Sequence, residues 1–179
     1  MATIPEVLAS ALQHHQAGRL QEAEAIYRQI LEVQPANHAA LHYLGLIAHH
    51  VGKPQIAVDY IGRAIALCPN EAMYHNNLGE AYRVQGDEKK AVECFARATI
   101  LKPDYADAHY NMGVVLQFQK KPEEAAAYYR KALVLQPTYA RAHNNLGNIL
   151  RAQGRVEDAL VHYREALAAD PVFLEAHNN

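Results

Sequence analysis

Apolar positions in this chain do not alternate one by one; they recur at helical spacing. In the stretch "YHNNLGEAYRVQGDEKKAVECFARATILKP", His75, Leu78, Gly79 and Tyr82 repeat at i, i+3, i+4 and i+7, which predicts one face of a helix. Gly86-Asp87 breaks the pattern. Ala91, Phe95 and Ala98 then resume it as the stripe of a second helix that ends before Pro103.

The two-helix pattern returns every 34 residues. Gly18, Gly52, Gly86 and Gly154 share one lattice, with Lys120 in the remaining slot. Five residues further on lie Ala23, Ala57, Ala91, Ala125 and Ala159. The prolines Pro35, Pro69, Pro103, Pro137 and Pro171 hold the same register, as do Tyr27, Phe95, Tyr129 and Tyr163, interrupted by Ile61. Five complete units follow, 4–37, 38–71, 72–105, 106–139 and 140–173, so that 1–179 reads as a single array. The small residues Gly45, Gly79, Gly113 and Gly147 are expected to let neighbouring helices approach, with the aromatics filling the space between them. Pro54 and Pro122 fall at the start of a second helix, where the missing N–H costs nothing.

Residues 174–179 match the opening of a sixth unit. The chain is therefore expected to be a piece of a longer protein, cut within its repeats. Alone, such a piece is expected to associate end to end through the uncovered face of its last helix, around Ala159, Tyr163 and Ala166.

The pattern "H-x-N-L-G … G … A-x-x-x-Y/F-x-x-A … P" resembles the tetratricopeptide repeat (TPR), over residues 4–173. The first unit departs most, with Val7, Ser10, Ala11 and His14 in the first-helix positions, as suits a terminal repeat. The resemblance implies an all-α fold: a right-handed α-solenoid, or superhelix, of antiparallel helix pairs whose first helices line a concave groove. It also implies that positions 2, 5, 6, 9, 12 and 13 of each unit face that groove. Position 6 carries Asn77, Asn111, Asn145 and Asn179, preceded by Tyr43; position 5 adds Asn76, Asn144 and Tyr110; and Asn148 stands at position 9. Arg141 at position 2, with Arg83 and Arg151 at position 12, completes the candidate groove. A side-chain amide donates and accepts at once, which suits the backbone of an extended peptide. Asparagine is also a mediocre mid-helix residue, so local stability does not account for it. Duplication of an ancestral unit would leave the same recurrence with each amide merely solvated or capping a neighbour.

The asparagine series and the "Y-R-x-A-L-x-x-x-P" closing also resemble the TPR region of O-linked N-acetylglucosamine transferases and their bacterial relatives. In that family, groove asparagines hold a protein substrate and a glycosyltransferase region follows the repeats. Two readings thus stand: a scaffold binding an extended peptide segment, or the substrate-recognition arm of a larger transferase. Similar units also precede sulfotransferase and methyltransferase regions or stand alone. A chaperone-type carboxylate clamp is disfavoured, because the position-5 residues His42, Asn76, Tyr110 and Asn144 include no lysine.

Composition narrows the rest. A net charge of −2 with scattered basic residues gives no stripe for nucleic acid and no attraction to an anionic membrane. No stretch approaches the roughly 20 apolar residues of a membrane span, and Glu6 with no apolar run argues against a signal peptide. Cys68 and Cys94 form no metal or disulfide spacing, so a cytoplasmic setting is the expectation. His75, His109, His143 and His177 recur at position 4 and read as packing residues, because successive repeats stand roughly 10 Å apart, too far to share an ion. His42, His49 and His50 lie near the groove, where they would make binding pH-dependent. No phosphate loop, nucleophile elbow or H-E-x-x-H motif occurs, so these residues are expected to hold no catalytic site, metal or cofactor.

Overall fold

The computed structural model describes residues 3–173. These form ten helices: α1 (Ile4–Gln16), α2 (Leu20–Val33), α3 (His38–His50), α4 (Pro54–Leu67), α5 (Ala72–Val84), α6 (Glu88–Leu101), α7 (Ala106–Phe118), α8 (Pro122–Leu135), α9 (Ala140–Ala152) and α10 (Val156–Ala169). Odd-numbered helices start at Ile4, His38, Ala72, Ala106 and Ala140, so the period read from the sequence is the period of the fold. The chain divides into two compact units, Met1–Cys94 and Phe95–Asn179, with the boundary inside α6.

The turn between paired helices explains the glycine lattice. Gly18, Gly52, Gly86 and Gly154 take φ of 74°, 72°, 79° and 80°, in the left-handed region that only glycine enters cheaply. There the chain closes a two-bond cap: Gly154 N–H donates to Arg151 O, and Arg155 N–H to Leu150 O. Lys120 adopts the same conformation, φ 60°, with a side chain attached. Its N–H donates to Gln117 O, and Lys121 N–H to Leu116 O, so the cap forms despite the strain.

In the second, fourth and fifth pairs the core is built on a contact between a glycine and a large side chain; the first pair has Ala11 in the glycine's place. A Cβ built on Gly113 would lie 2.6 Å from Tyr129 Cε1, one on Gly147 2.6 Å from Tyr163 Cε1, and one on Gly45 2.5 Å from Ile61 Cγ1. The rings and the isoleucine therefore rest directly on the facing helix backbone. In the N-terminal unit the first pair closes over Ala11, Ala23, Tyr27 and Ile30, together with Ala40, Leu44 and Ile47 from α3. In the C-terminal unit Tyr129 and Tyr163 are buried, as are Val115, Leu116, Leu146 and Leu150. Ala159, Tyr163 and Ala166 of α10, expected to lie uncovered, are buried, and the apolar residues that α10 leaves about half exposed are Val156, Leu160 and Val161.

The position-4 histidines do more than pack. His75 Nε2 donates to Pro69 O (2.8 Å), His109 Nε2 to Pro103 O (2.9 Å) and His143 Nε2 to Pro137 O (2.9 Å). Each imidazole thus ties a first helix to the loop that delivers it. With its Nε2–H given to Pro137 O, His143 also shares a hydrogen bond between its Nδ1 and His162 Nδ1, 2.9 Å away. Burial, then the neighbouring His143 and Arg130, push the His162 pKa down.

Lys120→Gly removes the left-handed strain of a side chain, about 1–2 kcal/mol, and restores about 0.4–1 kcal/mol of unfolded-chain freedom. A net gain of roughly 0.5–1 kcal/mol is expected, read as a higher urea midpoint. An unchanged or lower midpoint would contradict this account of the turn.

Candidate functional site

First-helix residues are set by a simple rotation. Adjacent helical positions diverge by about 100°, and here that turns Asn76 and Asn144 at position 5 into the core and leaves position 6 at its edge. Asn76 and Asn144 at position 5 are each only 4% exposed. Asn77, Asn111 and Asn145 at position 6 are half-buried. Asn179 lies outside the described residues, as does the start of a sixth repeat at 174–179.

In the N-terminal unit the polar groups are spent on one another. Asn76 Nδ2 donates to Asn77 Oδ1 (3.3 Å), and Asn77 Nδ2 donates to His42 Nε2 (2.9 Å). That second bond joins the first helices of two consecutive pairs, and it places the His42 proton on Nδ1, which is buried without an acceptor. The His42 ring is wholly buried and stacks on Tyr74, with centroids 4.3 Å apart. Burial, followed by the nearby His15 and His38, pushes its pKa down to about 4. Tyr43 stacks on Tyr27 at 5.3 Å, and Arg83 pairs with Glu80 at 3.0 Å.

The C-terminal unit repeats the tie with a different outcome. Asn145 Nδ2 donates to Tyr110 Oη (3.4 Å), the same join between consecutive first helices, and also to Tyr129 Oη (3.3 Å). Tyr129 Oη in turn donates to Gln117 Oε1 (2.8 Å). Burial holds the Tyr129 phenol well above its ordinary pKa, so it stays a neutral relay. Asn145 therefore spends its amide nitrogen inward, and Gln117 its amide oxygen. Tyr163 Oη makes the equivalent reach to Asn148 Oδ1 (2.8 Å). The Tyr110 ring lies 4.9 Å from that of Tyr139, whose hydroxyl donates to Asp107 Oδ1 (2.7 Å). Arg141 and Arg151 are exposed.

Beside Asn145 opens a crevice of about 350 Å³, lined by Val114, Gln117, Phe118, Tyr129 and Asn145. Val114, Gln117 and Phe118 occupy positions 9, 12 and 13 of the fourth repeat, positions the resemblance already assigns to the groove. Sequence reading passed over them because it followed recurring asparagines, and these three residues do not recur. Tyr129 carries no such signal: it sits on the second helix, and its hydroxyl reaches through the pair.

Among the described residues no group of three or more His, Cys, Asp or Glu side chains could hold a metal ion. Among the described residues, too, no helix is long and apolar enough to cross a membrane.

Three family models match the chain: a tetratricopeptide repeat over residues 8–72, a TPR repeat over 79–120 and a further tetratricopeptide repeat over 104–171. These models describe the repeat itself and do not specifically support the likeness to O-linked N-acetylglucosamine transferases. No curated protein sequence matches the chain. Among solved structures, PilF of Pseudomonas aeruginosa is similar with a TM-score of 0.86 and 22% identity, over 93% of this chain and 76% of that one. TTC0263 of Thermus thermophilus, described as a thermophilic TPR protein, gives 0.80 and 24%, over 98% and 96%. YrrB, described as a TPR protein with an unusual peptide-binding site, gives 0.71 and 20%, over 97% and 89%. At these identities the likeness establishes the fold.

The burial of His42 has a pH consequence. Its folded pKa of about 4 lies below the ordinary 6.5, so the unfolded chain binds the proton more tightly. The stability it contributes is whole above pH 6.5 and is lost as pH falls towards 4. At pH 5 the loss is about 2 kcal/mol. Urea midpoints at pH 7.5 and 5 should show this fall, and His42→Tyr, which borrows the tyrosine of the fourth repeat, should remove most of it. An equal fall in the variant would refute the assignment to His42.

Proposed function

Because the chain belongs to the tetratricopeptide-repeat proteins, we propose that it is a protein-interaction scaffold whose first-helix face, in the C-terminal unit, binds an extended peptide segment. One observation carries this reading: Asn145 spends its amide nitrogen on Tyr110 and Tyr129 and keeps its carbonyl oxygen for a ligand, beside a crevice of about 350 Å³. A carbonyl acceptor on an uncharged surface suits a backbone N–H better than it suits an ionised group. The peptide-binding site named for YrrB supports the same use of this fold. The groups lining this crevice form no nucleophile–base set, so the role proposed is recognition and not catalysis.

The alternative, the recognition arm of a larger transferase, uses the same face and differs only in what these helices are attached to. An interaction role for the residues themselves is common to both readings.

The test is selection from a phage-displayed library of random dodecamers on the full chain, followed by titration of a selected peptide. Asn145→Ala is expected to weaken binding about fivefold, the worth of one hydrogen bond of about 1 kcal/mol, with the helical circular dichroism retained. No selectable peptide, or an unchanged affinity in a folded variant, would overturn the proposal.

A further inference from the structure

The crevice on the C-terminal unit has a chemistry narrower than peptide binding in general. Its five lining residues, Val114, Gln117, Phe118, Tyr129 and Asn145, include no charged group. Phe118 ends α7 with 66% of its surface in water. At the same position the other first helices of the described repeats carry smaller or polar residues, among them His50, Val84 and Ala152. Together with Val114 on the same crevice, the Phe118 ring gives the opening an apolar wall beside the polar side chains of Gln117 and Asn145. The volume, about 350 Å³, lies within the ordinary range of ligand pockets, about 300–1,000 Å³.

The polar half of the crevice has a fixed sense. Tyr129 has a single hydroxyl proton, and it goes to Gln117 Oε1. The oxygen of that hydroxyl accepts from Asn145 Nδ2. The chain of bonds therefore runs one way, Asn145 to Tyr129 to Gln117. At one end it leaves the Asn145 carbonyl oxygen, an acceptor, and at the other the Gln117 amide N–H groups, which are donors. Reversing Gln117 alone would leave the Tyr129 proton without its acceptor, and reversing Asn145 alone would set its oxygen against a hydroxyl whose proton is already given to Gln117. One acceptor and one donor on either side of a hydroxyl complement the N–H and C=O of one residue in an extended strand, which point to the same side. The same pair does not suit a carboxylate or phosphate, which offers acceptors only, nor an ammonium group, which offers donors only.

We propose that this crevice is a specificity subsite: it holds one residue of an extended, uncharged peptide segment by its N–H on Asn145 Oδ1 and its C=O on Gln117 Nε2, and seats a neighbouring apolar side chain against Val114 and Phe118. The subsite rests on the peptide-binding reading above and adds to it a preference for side-chain chemistry. Leucine, isoleucine, methionine or phenylalanine is favoured at the seated position. Aspartate, glutamate and lysine are rejected there, because the crevice offers no counter-charge and would strip their water. The buried asparagine system of the N-terminal unit forms no equivalent subsite, since Asn77 is engaged at both ends of its amide by Asn76 and His42.

The experiment is a positional-scanning library of octapeptides, acetylated and amidated at their ends, titrated against the full chain and two variants. Phe118→Ala removes the apolar wall from an exposed site where folding is not at stake. Gln117→Glu keeps an acceptor for the Tyr129 hydroxyl while replacing the outward donor with a carboxylate oxygen. The wild type should select apolar residues over aspartate, glutamate and lysine at one position by tenfold or so, the effect of about 1.4 kcal/mol. Phe118→Ala should abolish that preference while a weaker, unselective affinity remains. Gln117→Glu should lower affinity about tenfold for all members. Retention of the apolar preference in Phe118→Ala, or undiminished binding by Gln117→Glu, would overturn the subsite and leave peptide binding intact. Absence of any octapeptide binding to the wild type would overturn both.

Discussion

The contact on which everything else depends is the one between a residue without a side chain and a large one facing it. Gly113 meets Tyr129, Gly147 meets Tyr163 and Gly45 meets Ile61, each so closely that a single methyl group would collide with the partner. Helices brought together in this way bury their aromatic and aliphatic surface at interior density, where one added carbon is felt at once. The turn glycines serve the same end. They reverse the chain within a few residues, so the second helix returns against the face that carries the gap.

That seam also determines what the surface can do. In the C-terminal unit a tyrosine whose ring lies in the seam carries its hydroxyl through to polar side chains of the first helices, whereas the hydroxyl of Tyr27 in the first repeat is buried without a partner. Tyr129 reaches Gln117 and Asn145 in this manner, and Tyr163 reaches Asn148. A phenylalanine or isoleucine in the same place packs equally well and reaches nothing. The recurring core position therefore decides, unit by unit, whether the polar groups above it are oriented. In the N-terminal unit, where Ile61 fills the place in the second repeat and Tyr27 in the first makes no hydrogen bond, orientation comes from elsewhere: His42 is buried neutral and accepts from Asn77. The two units use the same asparagine position with different remainders for a ligand.

Most of the fold was legible because a repeat states its rules several times. The 34-residue spacing of glycine, alanine and proline locates each helix start and each turn. Lys120 was visible as an exception, and it takes the left-handed backbone all the same. The surface was less legible, for a physical reason. Whether Asn76 and Asn77 differ in exposure depends on a rotation of about 100° and on which neighbour lies within hydrogen-bond reach, neither of which recurrence encodes. The carbonyl bonds of His75, His109 and His143 were hidden for the same reason: their acceptors are backbone atoms, which leave no trace in residue type. Phe118 and Gln117 escaped notice because they occur once, and a reading built on repetition discounts what is not repeated.

The most direct test of the claim that the core orients the surface is the structure of Tyr129→Phe in solution, read through the side-chain amide resonances of Asn145 and Gln117. The ring still fills the space opposite Gly113, so the helix pair should remain folded, with a stability change no larger than about 0.5–1.5 kcal/mol for the lost hydrogen bonds. With the hydroxyl gone, the Gln117 amide should lose its fixed rotamer and average on the nanosecond timescale, while Asn145, left with its bond to Tyr110, should shift but stay more ordered. A Gln117 amide that keeps its wild-type orientation in a folded Tyr129→Phe protein would contradict the account.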